Sequence, residues 1–111
     1  MDLNKINNIF FRLSVKEKML FARHMEVMIS SGMQILDSLK VLKRQTKSKA
    51  FASILDSLIG DVQNGHFLSV GLEKYRGIFG DFFINLVRVG ETSGTLANNL
   101  KYLSEELKKK Q

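Results

Sequence analysis

The sequence predicts an all-α fold, a compact antiparallel bundle of five to six amphipathic helices. Three observations carry this. The 111 residues contain no proline and only eight glycines, too little turn punctuation for a strand-rich domain of this size. Apolar residues recur at three- and four-residue spacing along almost the whole chain, and no stretch alternates apolar with polar long enough to propose a strand. The apolar share is 44%, enough for one modest core and too much for a disordered chain.

The elements follow in order. Leu3, Ile6, Ile9, Phe10 and Leu13 are spaced for a short helix, so residues 1–13 read as an N-terminal extension or short helix. Ser14 and Glu17 form a capping box, in which the serine hydroxyl takes the amide of Glu17 and the glutamate reaches back. A helix then runs to about Ser30 with Val15, Met19, Ala22, Met25, Met28 and Ile29 inward, and Gly32 ends it. Met33 to Gln45 continues with Ile35, Leu36, Leu39 and Leu42 inward. Ser48 caps the next helix, whose Phe51, Ile54, Leu55, Leu58, Ile59 and Val62 make the cleanest stripe, and Gly65 closes it. A short helix from Ser69 to about Tyr75 is interrupted by Gly71, and Gly77 and Gly80 bracket a turn. Asp81 is expected to cap a helix carrying Phe82, Phe83, Leu86, Val87 and Val89. Gly90 to Gly94 breaks the pattern, and Thr95 is expected to cap a last helix with Leu96, Leu100, Leu103 and Leu107 on one side. Residues 14–107 thus read as one helical domain and 108–111 as a basic tail.

Composition excludes whole classes of chemistry. There is no cysteine, hence no disulfide framework, thiolate metal site or thiol nucleophile. His24 and His66 are the only histidines; they lie far apart, and no carboxylate stands at the spacing of a zinc hydrolase. No phosphate-binding glycine loop is present, because Glu91 between Gly90 and Gly94 would repel a phosphate. The sequence therefore predicts no catalytic residue, no enzyme and no cofactor. No apolar run approaches the ~18–20 residues of a spanning helix, and the polar N-terminus does not resemble a signal peptide.

The net charge of +6 is unevenly spread. Residues 1–49 carry ten Lys and Arg against four acids, residues 50–107 carry four against seven, and Lys108, Lys109 and Lys110 follow. Lys40, Lys43, Arg44, Lys47 and Lys49 cluster at one helix end and the turn after it, an electrostatic footprint for an acidic surface. A small basic helical nucleic-acid-binding domain is the alternative reading. Reading base edges needs Arg, Asn or Gln fanned from one helix face; this segment offers mainly lysines and apolar residues, so nucleic acid is not the expected partner. Glu91, in the most unusual stretch, is placed to offset free amides at the start of the last helix or to pair with Arg88. It is also the one weak candidate for holding a cation.

The order of certain segments adds a resemblance. Phe21-Ala22-Arg23-His24-Met25, Ser31-Gly32-Met33, Asn64-Gly65 with Leu68-Ser69, Phe79-Gly80-Asp81-Phe82-Phe83, and Val87-Arg88-Val89-Gly90-Glu91-Thr92-Ser93-Gly94-Thr95-Leu96 resemble the cytoplasmic domain of the platform proteins of type II secretion and type IV pilus assembly (the GspF/PilC family). The likeness covers about Lys16 to Lys108, and its motif residues here are Phe21, Arg23, Gly32, Gly65, Gly90, Glu91, Ser93 and Gly94. The family usually has Gln at His24, Pro at Gly80 and Ala at Gly71.

The resemblance implies a helical domain of a polytopic inner-membrane protein, one of two copies in the parent, each preceding membrane-spanning helices. It implies a non-enzymatic role on the cytoplasmic side, coupling a hexameric assembly ATPase to pilin insertion or extraction. The chain would be a single copy, with Lys108–Lys110 just before the first span and beside anionic headgroups. The basic face from Lys40 to Lys49 is then expected to dock the ATPase or another assembly component. A homodimer is a further expectation.

Overall fold

A computed structural model describes residues 12–111, so the short helix expected before Leu13 lies outside the described residues. Ser14 opens α1 (Val15–Ser30) with the expected capping box: its hydroxyl accepts the Glu17 amide at 3.0 Å and the Glu17 carboxylate accepts the Ser14 amide at 3.1 Å. Gly32, with φ 98°, turns the chain out, and the Met33 amide closes on the Met28 carbonyl at 3.0 Å. Met33 is thereby used to end α1, which is why α2 (Ile35–Gln45) starts two residues later than the periodicity predicts. Ser48 caps α3 (Lys49–Gln63) through the Phe51 amide at 3.1 Å.

The second half departs further from expectation. The helix expected from Ser69 to about Tyr75 is α4 (Leu68–Glu73), but the turn expected between Gly77 and Gly80 is a further short helix, α5 (Arg76–Phe79), giving seven helices among the described residues. Gly71 does not interrupt α4. It lies buried against α3, where a Cβ would stand 2.8 Å from Leu58 Cδ2. Asp81 does not cap α6 (Asp81–Ser93): Gly80 occupies the cap at φ 86°, and the Asp81 carboxylate binds Arg76 instead. Gly80 therefore stands in a conformation that proline, fixed near φ −65°, cannot adopt. The break expected over Gly90–Gly94 reduces to one residue, since α6 stays helical through Ser93 and only Gly94 is left-handed. Thr95 sits at the cap of α7 (Leu96–Lys108) without a side-chain capping bond; its amide closes on the Gly90 carbonyl at 2.9 Å.

Packing places α1 along α7, α7 along α6, α2 on α3, and α4 between α3 and α6. Asn99 Nδ2 donates to the Leu86 carbonyl at 2.9 Å, and Phe82 meets Tyr102 with ring centroids 6.2 Å apart. Sequence positions therefore fall along α6 as they rise along α7, so the pair is antiparallel. Phe21, wholly buried, is the hub of the core, with ring centroids of Phe51, Phe79 and Phe83 at 5.9, 5.8 and 6.1 Å. Such offset and tilted pairs add about 0.5–1.5 kcal/mol each beyond burial. On α6 the inward residues are Phe83, Ile84 and Val87, while Phe82 and Val89 face outward. The radius of gyration is 13.1 Å, that of a close-packed domain of about 100 residues. Among the described residues there is no strand, and no helix is long and apolar enough to cross a membrane.

Candidate functional site

The basic cluster folds onto one corner of the bundle. Lys43 and Arg44 lie in the last turn of α2, Lys47 in the loop after it and Lys49 at the first position of α3, all exposed; Lys40, one turn earlier, is half-buried. The five cations are not equivalent. Lys43 Nζ meets Asp56 Oδ1 at 2.7 Å across the α2–α3 interface, an exposed pair of the kind that contributes about 0–1 kcal/mol. Lys40, Arg44, Lys47 and Lys49 meet no carboxylate within 4 Å among the described residues. The paired Lys43 and the unpaired Arg44 both sit where the α2 carbonyls end, which favours positive charge. Among the described residues the corner thus keeps exposed cationic charge at Arg44, Lys47 and Lys49.

Glu91 has neither of its expected partners. Its Oε2 accepts the Leu68 amide at 2.7 Å and its Oε1 the Ser69 amide at 2.8 Å, both at the start of α4. The carboxylate thus satisfies two consecutive amides that the first turn of α4 leaves without intrahelical partners, on residues whose exposure is only 1%. Arg88 turns the other way, to Asn85 and Glu73. Arg76 also binds Glu73, with Nε 3.0 Å from Oε2, and these guanidinium contacts, Arg76 first, hold the Glu73 carboxyl below its usual value. Gly90 permits the geometry around Glu91. A Cβ there would lie 2.7 Å from Leu96 Cα and 3.1 Å from Leu96 N, so only glycine lets α7 start against α6. Among the described residues no group of three or more His, Cys, Asp or Glu is drawn together.

Residues 21–111 match the family model described as type II secretion system (T2SS), protein F. The chain belongs to this family. Curated relatives agree with the assignment. A type IV pilus assembly protein PilC from Thermus thermophilus is 38% identical over 95 residues, 86% of this chain and 23% of its own length. A type 4 fimbrial assembly protein PilC from Pseudomonas putida is 34% identical over 90 residues, 81% of this chain and 22% of the relative. A type II secretion system protein F from Xanthomonas campestris is 27% identical over 89 residues, 80% of this chain and 22% of the relative. The chain thus spans about a quarter of the length of the relatives it matches.

Most of the family motif residues build the fold. Phe21 is the aromatic hub, Gly32 and Gly65 end α1 and α3 at positive φ, Gly90 is the close approach, Glu91 the clamp and Gly94 the left-handed turn. Arg23 and Ser93 are exposed. Arg23 borders a polar cleft with Glu26, Lys101 and Lys108. His24 and His66 both lie on the surface. Sequence reasoning missed Leu68 and Ser69 as the partners of Glu91, although both stand in the motif segments. It also missed Phe21 as an inward residue of α1 and Ile84 as one of α6.

Proposed function

We propose that this domain is a non-enzymatic docking element of an inner-membrane platform protein for type II secretion or type IV pilus assembly. On this reading it lies on the cytoplasmic side, binds the cytoplasmic assembly ATPase through the corner bearing Lys40, Lys43, Arg44, Lys47 and Lys49, and couples it to pilin insertion or extraction. The observation that carries the proposal is that corner: exposed cations, most of them without a carboxylate partner among the described residues, on a firmly packed body. Lys108, Lys109 and Lys110, at and beyond the end of α7, would face an anionic membrane surface, and self-association into a homodimer would multiply weak contacts. Individual exposed ion pairs contribute only about 0–1 kcal/mol, so docking is salt-sensitive.

The test is charge reversal in the full-length parent protein. Arg44→Glu with Lys47→Glu is expected to abolish pilus or secretion output and ATPase binding while the domain keeps its melting temperature. Unchanged binding and output would remove the docking role from this corner.

A further inference from the structure

Phe82 stands in one of the motif segments, yet the core does not use it. On α6, Phe83 and Ile84 turn inward, while Phe82 is 58% and Val89 52% exposed. Tyr102 of α7, 48% exposed, meets Phe82 with ring centroids 6.2 Å apart, and Leu86 is half-buried. Phe82, Leu86 and Val89 are spaced i, i+4 and i+7, so they form one stripe along α6 about 10 Å long. An apolar stripe left facing outward marks a contact surface.

The helix directions decide what lies within reach of it. Ile29 and Leu96 line one groove, and Met19 and Lys108 line one cleft, so α1 runs antiparallel to α7 and starts beside its end. Since α6 is also antiparallel to α7, α1 and α6 start at the same end of the bundle. There Lys18 Nζ, in the first turn of α1, donates to the Ile78 carbonyl at 3.2 Å, four residues before Phe82. Leu13, 7% exposed, is fixed in the core. Residues 1–11, outside the described residues, thus join the bundle at the end where the apolar stripe begins.

Their sequence matches the stripe. Leu3, Ile6 and Phe10 are spaced i, i+3 and i+7, again about 10 Å on a helix. Asn4, Asn7 and Asn8 stand among them, and no charge falls between Lys5 and Arg12. Phe11, Arg12 and Leu13 are left to reverse the chain, within the roughly two to five residues that join antiparallel helices.

We propose that residues 3–10 form a short amphipathic helix lying antiparallel to α6, which covers Phe82, Leu86, Val89 and Tyr102 with Phe10 at the Phe82 end and Leu3 at the Val89 end. The covalent link selects this occupant. A segment tied to Leu13 stands beside the face at an effective concentration of the order of millimolar, and a free partner would have to displace it. A helix this short is not stable alone in water, so it orders only by packing on the face. The closure is apolar and needs nothing from the basic corner.

The 111-residue chain has no cysteine, so Asn4→Cys supplies a single site for a nitroxide label. Paramagnetic broadening of amide signals is expected to be strongest at Val89, present at Asn85, and absent at Lys43 and Asp56 on the α2–α3 surface. Labelled chain mixed with isotope-enriched chain that carries no label is expected to give no broadening. Phe10→Ala and Phe82→Ala are each expected to lower the melting temperature, and the double variant by less than their sum, because both remove one contact. Broadening strongest on another face, or spread evenly over the surface, overturns the proposal. Broadening at Val89 in the mixed sample gives the face to a second copy and overturns it too, as do strictly additive losses in the double variant.

Discussion

Glu91→Ala should be the most informative single change in the interior of this domain. The substitution removes both acceptors from the amides of Leu68 and Ser69, now 2.7 and 2.8 Å from the carboxylate. Both residues are 1% exposed, so water has little access to replace the lost oxygens. A hydrogen bond to a charged group contributes about 1.5–3 kcal/mol net. Glu91 is itself partly exposed, which favours the low end, so two bonds together make about 3 kcal/mol. Against a total stability of roughly 5–15 kcal/mol that is a large share, and it corresponds to a fall in melting temperature of roughly 10–25 °C. Glu91→Gln keeps one acceptor but turns an NH2 group towards the second amide, and should cost about half as much, ~1–2 kcal/mol. Thermal melts followed by circular dichroism give the ordering. Amide exchange at Leu68 and Ser69 shows whether protection is lost first at the start of α4, as local opening requires. A Glu91→Ala protein melting within ~2 °C of the parent, which is under 0.5 kcal/mol, would refute the claim that this carboxylate holds α4 to α6.

The other predictions use the same measurement. Gly90→Ala should destabilise by about 1–3 kcal/mol despite alanine's better helix propensity, because its Cβ would meet the Leu96 backbone, which no rotamer change relieves; an unchanged melting temperature would mean the two helices can part at no cost. Gly94→Val should cost about 1–2 kcal/mol or more, since Gly94 holds φ 73° and a left-handed backbone crowds a branched Cβ; a neutral result would remove the turn's conformational requirement. Phe21→Ala should cost about 3–5 kcal/mol, as it empties the centre of three ring contacts; a loss below 1 kcal/mol would show that the core does not depend on this hub.

What could be read in advance divides along the range of the interactions. Ser14 with Glu17, and Ser48, were legible because a cap is made within three residues. Asp81 and Thr95 have the residue types of caps yet do not act as such. Gly80 takes the position before Asp81, whose carboxylate goes to Arg76, and Thr95 contributes its amide to the Gly90 carbonyl. Glycine is ambiguous in a sequence for a physical reason: it marks either an unusual φ or a close approach. Gly94 is the first kind and Gly90 the second, and only the position of α7 tells them apart. Glu91 was legible as important but not in what it does, because Leu68 lies 23 residues away and no local pattern announces that α4 crosses there. The basic cluster was legible as a cluster. That Lys43 is drawn to Asp56 while Arg44, Lys47 and Lys49 meet no carboxylate among the described residues became visible only with the α2–α3 packing.

The division between motif and surface bears on how one family could serve two machines. Phe21, Gly32, Gly65, Gly90, Glu91 and Gly94 fix the core, the turns and the seating of α4 and α7. Lys40 to Lys49 lie outside that set, on a corner whose backbone is held by the cap of α3 and the α2–α3 interface. Charge at exposed positions changes with little effect on folding, so under the proposed docking role the partner could change while the body stays the same. Under the proposed docking role, a load applied at the corner would pass from α2 to α1 and on to α7, which packs along α1 and ends at Lys108. Close-packed interiors deform little and transmit strain. If that path carries the load, the Gly90 contact, which seats the start of α7 against α6, bears on coupling as well as on stability, whereas the Glu91 clamp holds α4 to α6, off the path.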